Sequence, residues 1–259
     1  MNNELIIERH GPVAWLIVNR PEVRNALSLQ MTQRIAQTLR ELSRDLSVRV
    51  FVLTGAGDRV FISGADVREF REQLATPEDA LRYDAVAEQL QSTLREVPQP
   101  VIAMIQGHAV GSGTIVAASC DFRIAIRTAK FGIPVAKFGF LAAVPDTLRL
   151  VQLVGPAKAK WLLMTGQLIE APEAQAIGLI DQVVEPDELK PQVESLAATL
   201  AANAPLTIKA TKQIIETMTA PSASVASGAP WYAEIFRSQD FKVGLDAFFN
   251  KRKPEFTGE

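Results

Sequence analysis

Apolar positions along this chain switch between short continuous runs and helical spacing. Leu5 to Glu8 and Val13 to Val18 are β-rich runs split by Arg9-His10-Gly11-Pro12, which predicts a hairpin. Asn19 to Asn25 is polar and predicts a loop. Ser28 is placed to cap a helix in which Met31, Ile35, Leu39, Leu42 and Leu46 recur at helical spacing. Val50 to Leu53 and Val60 to Ile62 predict short strands, separated by Thr54-Gly55-Ala56-Gly57. Ser63-Gly64-Ala65 then turns the chain into a helix that Asp66 is placed to cap. Pro77 to Glu96 reads as a long amphipathic helix, ended by Pro98 and Pro100.

The stretch from Val101 to Asp121 organises the rest. Val101 to Ile105 predicts a buried strand, Gly107, Gly111 and Gly113 interrupt it, and Thr114 to Cys120 predicts an apolar helix. N–H groups at a helix start lack intrahelical partners and sit at the positive end of the dipole, so such a turn can hold an anion or a developing oxyanion. A tight buried connection without chemistry fits the same residues. Phe122 to Ile126 predicts another strand, and Lys130 to Pro134 a short extended piece before a mostly apolar segment to Val144. Gly155-Pro156 and Pro172 open helices that stop before Gly166 and Gly178, and Ile180 to Val184 reads as a final strand. Pro186 to Phe249 is helical in pattern, broken at Thr219-Ala220-Pro221-Ser222 and through Ala223 to Pro230. The expected organisation is an α/β core over 1–195 and a helical region over 196–259.

Composition narrows the chemistry. With 259 residues, 47% of them apolar, and a net charge of -2, the chain can bury a large core and shows no basic block suited to nucleic acid or a membrane surface. Cys120 is the one cysteine, which excludes an internal disulfide and suits a reducing compartment. MNNELIIERH lacks the long apolar region of a secretory leader, so the expected location is cytoplasmic. His10 and His108 are the only histidines, and the carboxylates show no ligand spacing, so no metal is expected. Gly111-x-Gly113 is followed by Val116 where a dinucleotide fingerprint needs glycine, no phosphate-binding loop of the G-x-x-x-x-G-K type occurs, and Ser112 does not stand in a G-x-S-x-G elbow. What remains is the pair of glycine turns, Ser63-Gly64-Ala65 and Gly111-Ser112-Gly113. If the fold brings them together, one N–H from each can stabilise an enolate or tetrahedral oxyanion.

Five ordered stretches carry a resemblance over nearly the whole chain. They are Asn19-Arg20-Pro21 with Asn25-Ala26-Leu27, Ser63-Gly64-Ala65-Asp66-Val67, Gly107-His108-Ala109-Val110-Gly111-Ser112-Gly113, Phe131-Gly132-Ile133-Pro134, and Phe248-Phe249-Asn250-Lys251-Arg252-Lys253-Pro254. Together they resemble the crotonase superfamily, also called the enoyl-CoA hydratase/isomerase family. The resemblance implies an α/β spiral of ββα units with a C-terminal helical region, assembled as a homotrimer or homohexamer. It implies an acyl-CoA thioester substrate, with coenzyme A arriving as part of that substrate and no separate cofactor. By motif position, the N–H groups of Ala65 and Ser112 are the donors to the thioester carbonyl. Val23, Arg24 and Ala26, with Ala65, Asp66 and Val67, match where family members hold adenine and pantetheine. Lys251 and Tyr232 match basic and aromatic positions near the coenzyme A phosphates, although a solvated lysine and a packed tyrosine fit those residues equally.

The sequence departs from that pattern at the acids. Where the resemblance places a hydratase's two glutamates, this chain has Ile115 and Val135, and neither transfers a proton. Phe138, Phe140, Leu141, Ala142 and Ala143 predict a strongly apolar acyl pocket. Asp146 is the candidate replacement acid, against a reading of Pro145-Asp146-Thr147 as a helix cap that the residues favour. Glu69 and Tyr83 are expected to face solvent, and His108 to be a buried hydrogen-bonded ring. Hydration needs two proton-transfer groups, isomerisation can use one, and decarboxylation of a malonyl-type thioester needs little beyond the oxyanion hole. The competing class is an acyl-CoA-binding protein without catalysis.

Overall fold

Successive passes of the chain lay one strand in a large sheet and the next in a small one. In the computed structural model, which describes residues 4–219 and 236–254, the large sheet has strand order β1-β2-β3-β5-β7-β10 and the small one β4-β6-β8-β9. The hairpin pairs β1 (Leu5–His10) with β2 (Val13–Val18), Leu5 opposite Val18. Three repeats then follow: β3 (Val50–Gly55) with β4 (Val60–Ile62), β5 (Val101–Ile105) with β6 (His108–Val110), and β7 (Phe122–Ile126) with β8 (Lys130–Gly132). Within each sheet these strands run parallel, β3 to β5 to β7 and β4 to β6 to β8. Two short strands, β9 (Ile169–Glu170) and β10 (Gln182–Val184), close the edges.

Helices connect the passes and carry the chemistry-bearing turns. They are α1 (Leu29–Leu42), α2 (Phe70–Gln73), α3 (Pro77–Glu96), α4 (Ser112–Ser119), α5 (Val144–Thr165), α6 (Ala171–Ala176), α7 (Leu189–Ala202), α8 (Pro205–Thr219) and α9 (Gln239–Phe249). Ser28 caps α1 through its hydroxyl, and Thr76 with Asp79 forms a capping box on α3. The main core joins both sheets with α1, α3, α4 and α7, and a smaller aromatic cluster joins Phe70, Phe140, Phe236 and Phe241. Among the described residues no helix is long and apolar enough to cross a membrane.

Two expectations change. The helix begun at Leu29 stops at Leu42, because an Asp45 turn accepts from Ser47 N and leaves Leu46 exposed. His108 to Val110 forms a strand rather than a turn, and strand alternation buries Ala109 while sending His108 to the surface, where its Nδ1 accepts from Lys130 N. The imidazole is therefore hydrogen-bonded but not buried. Position 195 lies in α7, whose Val193 and Ala197 are both buried.

Candidate active site

The two glycine turns meet. Gly113, the second residue of α4, lies so close to β4 that a Cβ there would stand 2.0 Å from the Ile62 carbonyl oxygen. Gly64, at φ +122, faces the other turn, and a Cβ on it would be 3.3 Å from Val110 O and 4.0 Å from Ser112 N. Ala65 and Ser112 border one narrow cleft of about 20 Å³, room for a single water. Among the described residues no hydrogen bond leaves the N–H of Ala65 or of Ser112. Ser112 N–H is one of the unpaired donors at the start of α4.

A network from the Asn19–Leu27 loop holds the first turn in place. Leu27 N donates to Gly64 O at 2.9 Å and Asp66 N to Leu27 O at 2.8 Å, a short parallel bridge on either side of Ala65. Asn25, at φ +56, is buried and donates to Ala56 O and Val60 O. Buried Arg20 donates to Ala26 O at 2.6 Å and to Asp66 at 3.0 Å. Arg68 makes two further bonds to Asp66, so the paired guanidinium groups hold that carboxyl down at about 2. Asp66 also caps the turn that follows it, as its sequence position predicts. Its carboxylate is thus fully committed within the protein.

Helix α3 supplies the opposite wall of the cleft through Tyr83, Ala87, Leu90 and Gln91, with Leu29 and Thr32 from α1. Tyr83 does not face open solvent: it borders the cleft, packs edge-on to Phe70, and burial pushes its phenol upward, with Glu69 and Asp84 adding to the shift. Glu69 is likewise engaged, accepting from Leu29 N to cap α1. Val116 rather than Ile115 borders the cleft, while Ile115 is buried in the main core. Phe138 and Phe140 are turned into contacts with Phe248 and Phe70, away from this cleft.

Asp146 corrects its own expectation. It lies in the first turn of α5, whose N-cap is Ala143 with no side-chain cap bond, so the helix-cap reading fails. Its Oδ1 is buried without a hydrogen-bond partner, and burial pushes the carboxyl up to about 7. Asp84, which the sequence analysis did not single out, has a buried unpartnered Oδ2, and burial with the Asp146 charge pushes it up to about 8. Gln91, at the cleft wall, lowers the Asp146 carboxyl against the effect of burial and so favours its ionised form. A signal was present in the sequence. Ala80, Asp84, Ala87, Gln91 and Leu94 follow at helical spacing, placing a carboxyl and an amide on an otherwise apolar stripe.

The remaining positions spread along a second cavity and beyond. Arg24 borders a cavity of about 480 Å³ together with Arg59, Asn25 and Gly57. Val23 is half-buried and Ala26 buried in the adjoining loop. Val67 packs against the aromatic cluster. Lys251 is exposed at the end of α9 with φ +52, and Tyr232 lies outside the described residues. Among the described residues no three His, Cys, Asp or Glu groups gather as a metal site.

Comparison with known proteins gives one answer. Residues 8–259 match the sequence model of the enoyl-CoA hydratase/isomerase family. The short-chain-enoyl-CoA hydratase of Clostridium acetobutylicum is 35% identical over 255 residues, 98% of this chain and 97% of that protein. Among solved structures, an enoyl-CoA hydratase/carnithine racemase from Magnetospirillum magneticum is 37% identical with TM-score 0.82, covering 99% of this chain and 96% of its own. A methylmalonyl-CoA decarboxylase in complex with 2-nitronate-propionyl-CoA is 26% identical but superposes with TM-score 0.91, covering 99% of both chains.

Proposed function

Since the chain belongs to the enoyl-CoA hydratase/isomerase family, we propose that it acts on an acyl-CoA thioester through an enolate held by the N–H groups of Ala65 and Ser112. The observation that carries this reading is the meeting of the two glycine turns, with both N–H groups bordering one cleft and neither engaged by the protein. An enolate gathers charge on the former carbonyl oxygen. Two fixed N–H dipoles in a water-poor cleft stabilise that charge more than they stabilise the neutral thioester, which lowers the barrier. Both donors are backbone groups, so serine at 112 does not weaken the pair.

Coenzyme A fits the larger cavity, where the cations of Arg24 and Arg59 suit its phosphates. Val23, Ala26, Asp66 and Val67 take the adenine and pantetheine by motif position, Asp66 through its backbone because Arg20 and Arg68 occupy its carboxylate. Lys251 and Tyr232 are assigned to the phosphates from a neighbouring copy in a homotrimer or homohexamer. Residues 115 and 135 are apolar, so the proton for the acyl α-carbon comes from elsewhere. Asp146, beside Gln91 at the cleft wall, is the acid we assign.

One acid suffices for isomerisation or decarboxylation, whereas hydration needs a matched pair. The likeness to a methylmalonyl-CoA decarboxylase favours decarboxylation as the second reading. There the Cα–carboxylate bond breaks, its electron pair forms the enolate, CO2 leaves, and one proton completes the product. A panel of crotonyl-, 3-enoyl- and methylmalonyl-CoA, followed by ultraviolet absorbance and CO2 release, tests this. Turnover of the second or third substrate, abolished by Asp146→Asn, is expected. Rapid crotonyl-CoA hydration indifferent to Asp146 would refute the single-acid scheme, and tight binding without any turnover would make the chain a binding protein.

A further inference from the structure

The face of α3 turned to the cleft runs through Tyr83, Ala87, Leu90 and Gln91. Tyr83 borders the same space as Ala65 and Ser112, and that space has room for one water, so it suits a single oxygen atom with donors on its walls. The Tyr83 ring packs edge-on to Phe70, 5.8 Å between ring centroids, and Ala65 packs against the same aromatic cluster. Phenylalanine would fill that place equally well. The hydroxyl is what needs an account, because the O–H of a buried tyrosine usually finds a partner. Among the described residues no hydrogen bond engages it. The carboxylates nearby are otherwise disposed: Glu69 accepts from Leu29 N, Asp66 accepts from Arg20 and Arg68, and Asp84 Oδ2 accepts from nothing.

We propose that the Tyr83 hydroxyl is a third donor to the substrate oxygen held by Ala65 and Ser112, and that it acts on the enolate more than on the thioester. This rests on the reading of the cleft as a thioester oxyanion hole. A carbonyl oxygen has two lone pairs, which the two backbone N–H groups fill. An enolate oxygen has a third pair and carries negative charge, so a third donor gains most once the charge has formed. A hydrogen bond to an ionised acceptor is roughly twice as strong as one between neutral groups, and only such a difference between the two states speeds the reaction. Tyr83 keeps its proton throughout. Burial raises the phenol, and the charges of Glu69, Asp84 and Asp66 all oppose a phenolate there. The residue thus touches the reacting oxygen without protonating it, and the α-carbon proton remains the task of Asp146.

Acetoacetyl-CoA tests the contact without turnover, because this β-keto thioester ionises to an enolate with its own near-ultraviolet absorbance. At one fixed pH, the wild type should raise the enolate fraction of the bound ligand above that of the free ligand. Tyr83→Phe keeps the ring and should melt like the wild type. In it the enolate-to-keto ratio of the bound ligand should fall by about tenfold or more, the worth of a hydrogen bond to a charged group. Its affinity for butyryl-CoA, a saturated thioester that forms no enolate at that pH, should be unchanged by calorimetry. An equal enolate ratio in the variant and the wild type overturns the Tyr83 contact and leaves the two-amide site standing. Equal losses with both ligands also overturn it, since Tyr83 would then only pack against the acyl group. A wild type that fails to bind acetoacetyl-CoA, or binds it without raising the enolate fraction, overturns the two-amide reading and the contact with it.

Discussion

Replacing Gly113 by alanine tests whether the two turns are wedged together as the structure shows. The added Cβ would stand 2.0 Å from Ile62 O and 2.8 Å from its carbonyl carbon, where ordinary contact begins near 3.4 Å. Relief therefore demands a shift of about 1.4 Å between α4 and β4, taking 3.4 minus 2.0. Neither side yields easily, since Ile62 is completely buried and Gly113 is a buried residue of α4 itself. Overpacking of this kind costs about 1–3 kcal/mol, which for a domain this large lowers the melting temperature by roughly 2–12 °C. The same movement displaces the neighbouring Ser112 N–H by more than an ångström, which typically costs about 100-fold in rate. Thermal melting by circular dichroism and turnover of the substrate that the thioester panel identifies give the two readouts. Gly11→Ala is the control: at φ +59 with open space around it, it loses about 1 kcal/mol through backbone strain and keeps its rate. A Gly113→Ala protein that melts and turns over like the wild type would show that the turns are not packed against each other.

Two further outcomes follow from buried charge. Asp66→Asn should lower stability by roughly 2 kcal/mol at pH 7, because the carboxyl is held down at about 2 from an ordinary 3.8. A lowered folded value contributes stability that is complete above about pH 4 and lost as the pH falls through 2, so the gap between wild type and variant in denaturant melts should close over that window. A gap that is constant with pH refutes it. Lys212 is buried, with Nζ bonded to Leu94 O, Gln99 O and Asp121, and it pins α8 to the end of α3 and the start of β5. Lys212→Met strands the Asp121 carboxylate and should cost about 3–5 kcal/mol, with Asp121→Asn added to it restoring part of the loss in the double variant's melt.

Much of the fold was legible because it is written in local pattern. The hairpin, the strands at Val50, Val101 and Phe122, the capped helices and the glycine turns all follow from short-range spacing, and the ordered motifs pointed to the family before any coordinates. The misreadings share a cause. His108 needed a strand partner, Lys130, more than 20 residues away to declare which way it faced, and Asp146 resembled a cap until the helix was seen to start at Val144. Tyr83 seemed exposed because α3 is polar on one side, yet its other side closes the cleft.

The sequence by itself located the two glycine turns at residues 64 and 111–113, which follow from residue type and position. It also determined that positions 115 and 135 cannot move a proton. Only the tertiary structure decided that Ile62 and Gly113 stand in close contact, that Arg20 reaches Asp66, and that Asp84 and Asp146 each bury a carboxyl oxygen without a partner. The two contacts join residues 46 and 51 positions apart, and no local propensity encodes which distant groups a packed core will force together or deprive of water.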